Sequence, residues 1–176
     1  MQINVSQQLK SSIGTIRNYE VDTTVNIDGE KVEITGNVSL MKTDHGILLK
    51  GTFNTNLFLR CGRCLSTFIF PLSINIEEEY FPIMDVTTGV MLPVPEEPGS
   101  FTIDDRNIMD ISEGIRQYTF MALPIKPLCR QDCSGLCSTC GTNLNEKKCD
   151  CTPEIDPRWE KLNALVITDT EYSADN

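Results

Sequence analysis

Apolar and polar side chains alternate with a period of two through much of the first half of the chain. Val32, Ile34, Val38 and Leu40 interleave with Glu33, Thr35, Asn37 and Ser39. Ile47, Leu49, Phe53, Leu57 and Leu59 keep the same period, and so do Phe68, Phe70, Leu72, Ile74 and Ile76. Helical spacing would scatter these residues around a cylinder, so residues 31–81 read as successive antiparallel strands. Thr43-Asp-His-Gly46 joins the first two runs as a hairpin turn, with Gly46 free to take positive φ. Upstream, Gln2–Ser6 and Thr15–Asp22 are weaker strand candidates around a short helix at Gln7–Ser11.

Beyond residue 81 the period changes. Residues 82–100 hold four prolines and two glycines and show no period, which marks a loop ending in Pro-Glu-Glu-Pro-Gly. A helix is expected from Asp110, where Asp110 and Glu113 form a capping-box pattern. Its inner face would be Ile111, Ile115, Tyr118 and Ala122, and Pro124 and Pro127 would end it. Asp156-Pro157 would start a second helix with Trp159, Leu162, Leu165 and Val166 on its apolar face. These elements divide the chain into a β-rich region (1–81), a loop or linker (82–107), a helical and cysteine-rich region (108–167) and a polar tail (168–176). The fold class expected is α+β: an antiparallel sheet able to curl into a partial barrel, a covering helix, and a C-terminal zinc-binding module.

Composition narrows the function. At 40% hydrophobic residues, the 176-residue chain can bury a core. It has no run near the ~20 apolar residues of a membrane span and no apolar signal-peptide core. The expectation is a cytoplasmic protein, in whose reducing surroundings eight cysteines serve as metal ligands or redox groups rather than disulfides. The formal net charge is −10. A field of that sign repels nucleic acid and attracts basic proteins.

The cysteines carry the chemistry. Six fall between Cys129 and Cys151, two more than one tetrahedral zinc requires, and the other two form Cys61-Gly-Arg-Cys64 between two strand patterns. Gly62 would let that knuckle turn tightly. Two partitions are open. One joins Cys61 and Cys64 to Cys129 and Cys133, leaving Cys137, Cys140, Cys149 and Cys151 as a local module. The other groups Cys129, Cys133, Cys137 and Cys140 and sends Cys149 and Cys151 to the hairpin. The first is favoured because one of its sites is then self-contained. A single zinc with spare thiols is a third option, and iron–sulfur ligation also uses four thiolates. Two Zn(Cys)4 centres, each adding −2, would bring the chain to −14.

An all-thiolate site is closed and electron-rich, so it points away from hydrolysis. His45, the one histidine, sits in the hairpin turn and is expected to be solvated. A redox CxxC belongs at a helix start, and Cys61–Cys64 lies between strands, so thiol redox chemistry is only an alternative. Magnesium held by Asp104, Asp105 and Asp110 is disfavoured, since these residues look like a turn and a helix cap. Arg60, Arg63, Lys147, Lys148 and Arg158 are candidates for contacting a partner. Direct RNA binding through the zinc module would also draw on Lys126, Arg130 and Lys161, against an equal number of nearby carboxylates.

Several stretches together resemble one family: Cys61-Gly-Arg-Cys64, Leu123-Pro124, Gly135-Leu-Cys137, Cys140-Gly141, Asn143-Leu-Asn145 and Ile155-Asp-Pro-Arg158. The chain is similar to the YceD family, the large-ribosomal-RNA accumulation proteins. The resemblance implies a bacterial ribosome-biogenesis factor that supports 23S rRNA synthesis, processing or accumulation, with no catalytic activity. It implies a ribosomal protein or large-subunit assembly intermediate as partner, with direct rRNA contact as the alternative.

Overall fold

The computed structural model describes residues 1–93, 99–152 and Arg158. The chain divides into two compact units, one of Met1–Gly62 with Ser66–Cys129, the other of Arg63–Leu65 with the chain from Arg130 onward.

The first unit is built on strands β1 (Gln2–Asn4), β2 (Ile16–Ile27), β3 (Glu30–Lys42), β4 (Ile47–Arg60), β5 (Thr67–Pro82), β6 (Phe101–Ile103) and β7 (Ile108–Asp110). Two helices accompany them, α1 (Ser6–Leu9) and α2 (Ser112–Ala122). The seven strands form one sheet in the order β1-β7-β6-β5-β4-β3-β2, curled into a half-barrel. Strands β2 to β5 are a meander of antiparallel neighbours, as the period-two pattern predicts. The sheet is nevertheless mixed, because β5 and β6 run parallel. The segment after β5 brings the chain back before β6 begins, and such a return is what a parallel pair requires.

Alternation sorts the two faces. Ile34, Leu40, Ile47, Leu49 and Phe53 on the inner face are at most 1% exposed, and Tyr80, Ile103, Met109 and Ile115 join them in one core. At about 25 cal/mol per Å² of apolar surface removed from water, these side chains are the main stabilising term.

Several local expectations are corrected. Gly46 is not needed for positive φ; a Cβ there would collide with the Tyr80 carbonyl oxygen, so the glycine admits a close strand approach. Helix α2 begins two residues later than expected, because Asp110 pairs with Gln2 in β7–β1. Asp110 still accepts the Ser112 N–H at 2.9 Å, but Glu113 turns to Arg116 and Gln117 instead of closing a capping box. Ile115 is buried and Tyr118 half-buried against the core, while Ala122 is exposed and Thr119 takes the buried position. Leu123 leaves the helix in extended geometry before Pro124. The Pro-Glu-Glu-Pro stretch, the helix expected after Asp156 apart from Arg158, and the polar tail lie outside the described residues.

Candidate metal centres

Two CxxC turns are closed in the same way. Between β4 and β5, Cys61 N–H donates to the Ser66 carbonyl at 2.9 Å. Five residues also separate the ends of the second closure, Cys137 N–H to the Thr142 carbonyl at 2.8 Å. In each turn the residue after the second cysteine takes the left-handed conformation: Leu65 at φ 59° and Gly141 at φ 72°. Gly62 therefore does not make the first turn; its N–H donates to the Pro127 carbonyl at 2.7 Å. A leucine at positive φ costs about 1–2 kcal/mol relative to a right-handed residue, and the knuckle imposes it. No helix follows Cys64; the chain enters β5.

The eight sulfurs lie in two groups of four. Cys61, Cys64, Cys129 and Cys133 form one, and Cys137, Cys140, Cys149 and Cys151 the other. Within each group all the sulfurs lie within 4.8 Å of one another. A tetrahedral zinc with bonds near 2.3 Å requires sulfurs about 3.8 Å apart, so both groups fit a metal of this size. In the first group Cys61, Cys64 and Cys133 are buried and Cys129 is half-buried. The second is open, with Cys140 exposed and the rest half-buried.

Electrostatics in the second group also fit a cation. Backbone N–H groups of Cys140 and Thr139 point at Cys137 and hold its thiol down to about 6. The Thr142 hydroxyl, 3.1 Å from Cys140 Sγ, and the Thr142 N–H lower the Cys140 thiol. The hydrogen bond with Cys140, with burial after it, pushes Cys151 up to about 12. At Cys149 the Cys151 N–H pulls downward, yet the hydrogen bond with Cys137 and burial prevail and raise it. Two thiols are drawn down and two pushed up, as expected where four sulfurs crowd one small site and anionic neighbours repel. A dication would remove that conflict.

Asparagines and two arginines brace the module. The Asn145 side chain accepts from Ser134 N–H at 2.9 Å and from Arg130 Nη2 at 2.7 Å. Its Nδ2 donates to Asn143 Oδ1 at 2.8 Å and reaches Cys133 Sγ at 3.4 Å. Asn143 in turn donates to Glu146 Oε1 at 2.7 Å. The Arg63 guanidinium donates to the carbonyls of Cys133 (2.9 Å) and Gln131 (3.3 Å), so it orders the ligand loop. Spacing alone assigns no role to Asn145, because a polar residue in a loop gives no periodic signal.

Of the other candidate contact residues, Arg60, Lys147, Lys148 and Arg158 are all exposed. His45 is exposed in the hairpin turn, 3.1 Å from the Asp44 carboxylate. Asp104 accepts N–H bonds from Arg106 and Ile108, the geometry of a turn.

A half-barrel sheet protein with two four-thiol groups of metal-binding geometry is the class that fold and site define. More specifically, the chain belongs to the YceD family, described as large ribosomal RNA subunit accumulation protein YceD, whose profile matches residues 49–166. An uncharacterized protein of Mycobacterium tuberculosis is 33% identical over 121 residues, 69% of this chain and 56% of that protein. One from Mycobacterium leprae is 25% identical over 130 residues, 73% of this chain and 57% of its own length. The Arabidopsis thaliana protein named large ribosomal RNA subunit accumulation protein YCED homolog 1, chloroplastic, is 44% identical over 46 residues, 26% of this chain and 14% of its own. The chain thus spans little more than half the length of the mycobacterial relatives it matches. No solved structure matches it.

Proposed function

We propose that the protein is a non-catalytic ribosome-biogenesis factor, stapled by zinc, that supports accumulation of the large-subunit rRNA. Family membership carries the ribosomal part of this reading, joined to the names of the plant relatives. The two four-sulfur groups carry the structural part. Zinc held by four thiolates has no open position for substrate or water, so its contribution is folding energy. Among the described residues no helix is long and apolar enough to cross a membrane. The reading places the protein where ribosomes assemble, in the cytoplasm or its chloroplast counterpart.

A net charge of −10 favours basic proteins of the large subunit as direct contacts, over RNA phosphates. The test is affinity isolation at ribosome-preserving salt, identifying protein and RNA separately before and after nuclease treatment. Large-subunit proteins that stay bound after nuclease support the reading. Their loss with the RNA would favour direct rRNA contact, and absence of any large-subunit component would sink it.

A further inference from the structure

Strand β2 is the outermost strand of the sheet, paired with β3 on one side. Among the described residues no strand lies on its other side, and no backbone hydrogen bond beyond the ladder involves residues 16–27. The register with β3 runs unbroken from Ile16↔Met41 to Ile27↔Glu30, with no bulge, and β2 contains no proline. Long regular edges of this kind are templates for another strand unless something blunts them.

Side chains along β2 specify what could add there. Tyr19, Val21, Thr23, Val25 and Ile27 face inward and are buried or half-buried. The outward set is exposed and carries Glu20 and Asp22 at mid-strand. Their neighbours across the ladder are Asn37 and Thr35, so β3 offers neither of them a cation. A second copy is a poor occupant in the registers that overlap most. Antiparallel self-pairing about Val21 would set Glu20 against the copy's Asp22, and like charges directly opposite are destabilising. Arg17 cannot relieve this, since it belongs to the opposite face.

We propose that β2 is a strand-addition site for an extended basic segment of a partner protein, in which Lys or Arg alternates with aliphatic residues. The cations would lie beside Glu20 and Asp22 and the aliphatic residues beside Tyr19, Val21 and Val25. Backbone bonds would supply affinity and the alternation specificity. This deepens the protein-binding reading above and rests on it. Its test uses the purified chain and synthetic peptides, so it can fail while ribosome association stands.

The probe is a labelled peptide of about ten residues, the length of a long strand, alternating Lys and Val. Controls are the same composition in two blocks, the alternating peptide N-methylated at alternate amides, and an oligouridine. Binding should be confined to the unmethylated alternating peptide and should slow amide exchange within residues 16–27. Glu20→Gln with Asp22→Asn should weaken it roughly three- to tenfold. The charge-matched pair Glu30→Gln with Asp44→Asn should leave it unchanged. Equal binding of the block or methylated peptide would reduce the effect to plain charge attraction and overturn the proposal. So would preferential protection of the same strand by the oligouridine, or slow exchange of the outer β2 amides in the free chain.

Discussion

Asn145 shows how much one amide can organise. It serves two donors and two acceptors, one of them the Cys133 sulfur. Groups that orient metal ligands typically matter 10- to 100-fold in affinity. Asn145→Asp keeps the acceptor, loses the donor and sets a carboxylate beside a thiolate. We expect zinc affinity at Cys61, Cys64, Cys129 and Cys133 to fall by about that factor, measured by chelator competition. Unchanged affinity would reduce Asn145 to a loop residue. Tyr80 makes the opposite case. Its ring stacks on Phe101 with centroids 5.1 Å apart, but its hydroxyl is buried with no hydrogen-bond partner among the described residues. Burial, with the Glu78 carboxylate second, pushes that phenol far above its ordinary range. Tyr80→Phe keeps the ring and removes the unpaired group, so thermal unfolding should shift by no more than about 1 kcal/mol, toward greater stability. A larger loss would reveal a partner for the hydroxyl.

At the scale of elements, α2 carries a pH dependence. Glu113, in its first turn, accepts from Arg116 Nη2 at 2.6 Å and Nε at 2.8 Å and from Gln117 at 2.8 Å. These bonds hold its carboxyl down to about 2, from an ordinary 4.5. A depressed carboxyl contributes stability above its unfolded value, lost as pH falls through the folded one. Amide exchange in α2 should therefore quicken, relative to the sheet, as pH drops from about 4.5 toward about 2. Glu113→Gln should flatten that profile, and an unchanged profile would count against the assignment. The same helix marks the limit of reading sequence. Strands β3, β4 and β5 are visible because period two persists over more than a dozen residues in each. Strands β6 and β7 hold three residues each and exist through pairing with distant segments, which leaves no local signal. Once β7 claims Asp110, the helix start moves with it. In the cysteine turns, spacing shows the donors but leaves their grouping open. The left-handed residue, Leu65, contradicts its own propensity and can be seen only in space.

At the scale of the whole chain, the two thiol groups differ in how much sequence they close. Cys61 and Cys64 flank the β4–β5 turn, and the sulfurs grouped with them belong to Cys129 and Cys133, beyond α2. Cys137, Cys140, Cys149 and Cys151 close one short loop. A cross-link removes more unfolded-state entropy when it closes a longer loop, though the dependence is only logarithmic. The larger difference is in what a metal in each group would hold. Zinc binding can supply on the order of 10 kcal/mol of folding free energy. In the first group that energy would couple to the β4–β5 hairpin and the chain leaving α2; in the second it would couple to the Gly135–Asn145 loop with its local bonds. Cys64→Ser should therefore lower the cooperative unfolding of the sheet, followed by circular dichroism. Cys140→Ser should release one metal equivalent and leave the sheet transition nearly in place. Exposure orders the kinetics as well: a chelator should strip the open second group before the buried first. Mass spectrometry should then show a one-zinc intermediate whose sheet is intact. Simultaneous release of both metals, or equal loss of sheet stability in the two variants, would show that the centres act as one cooperative unit.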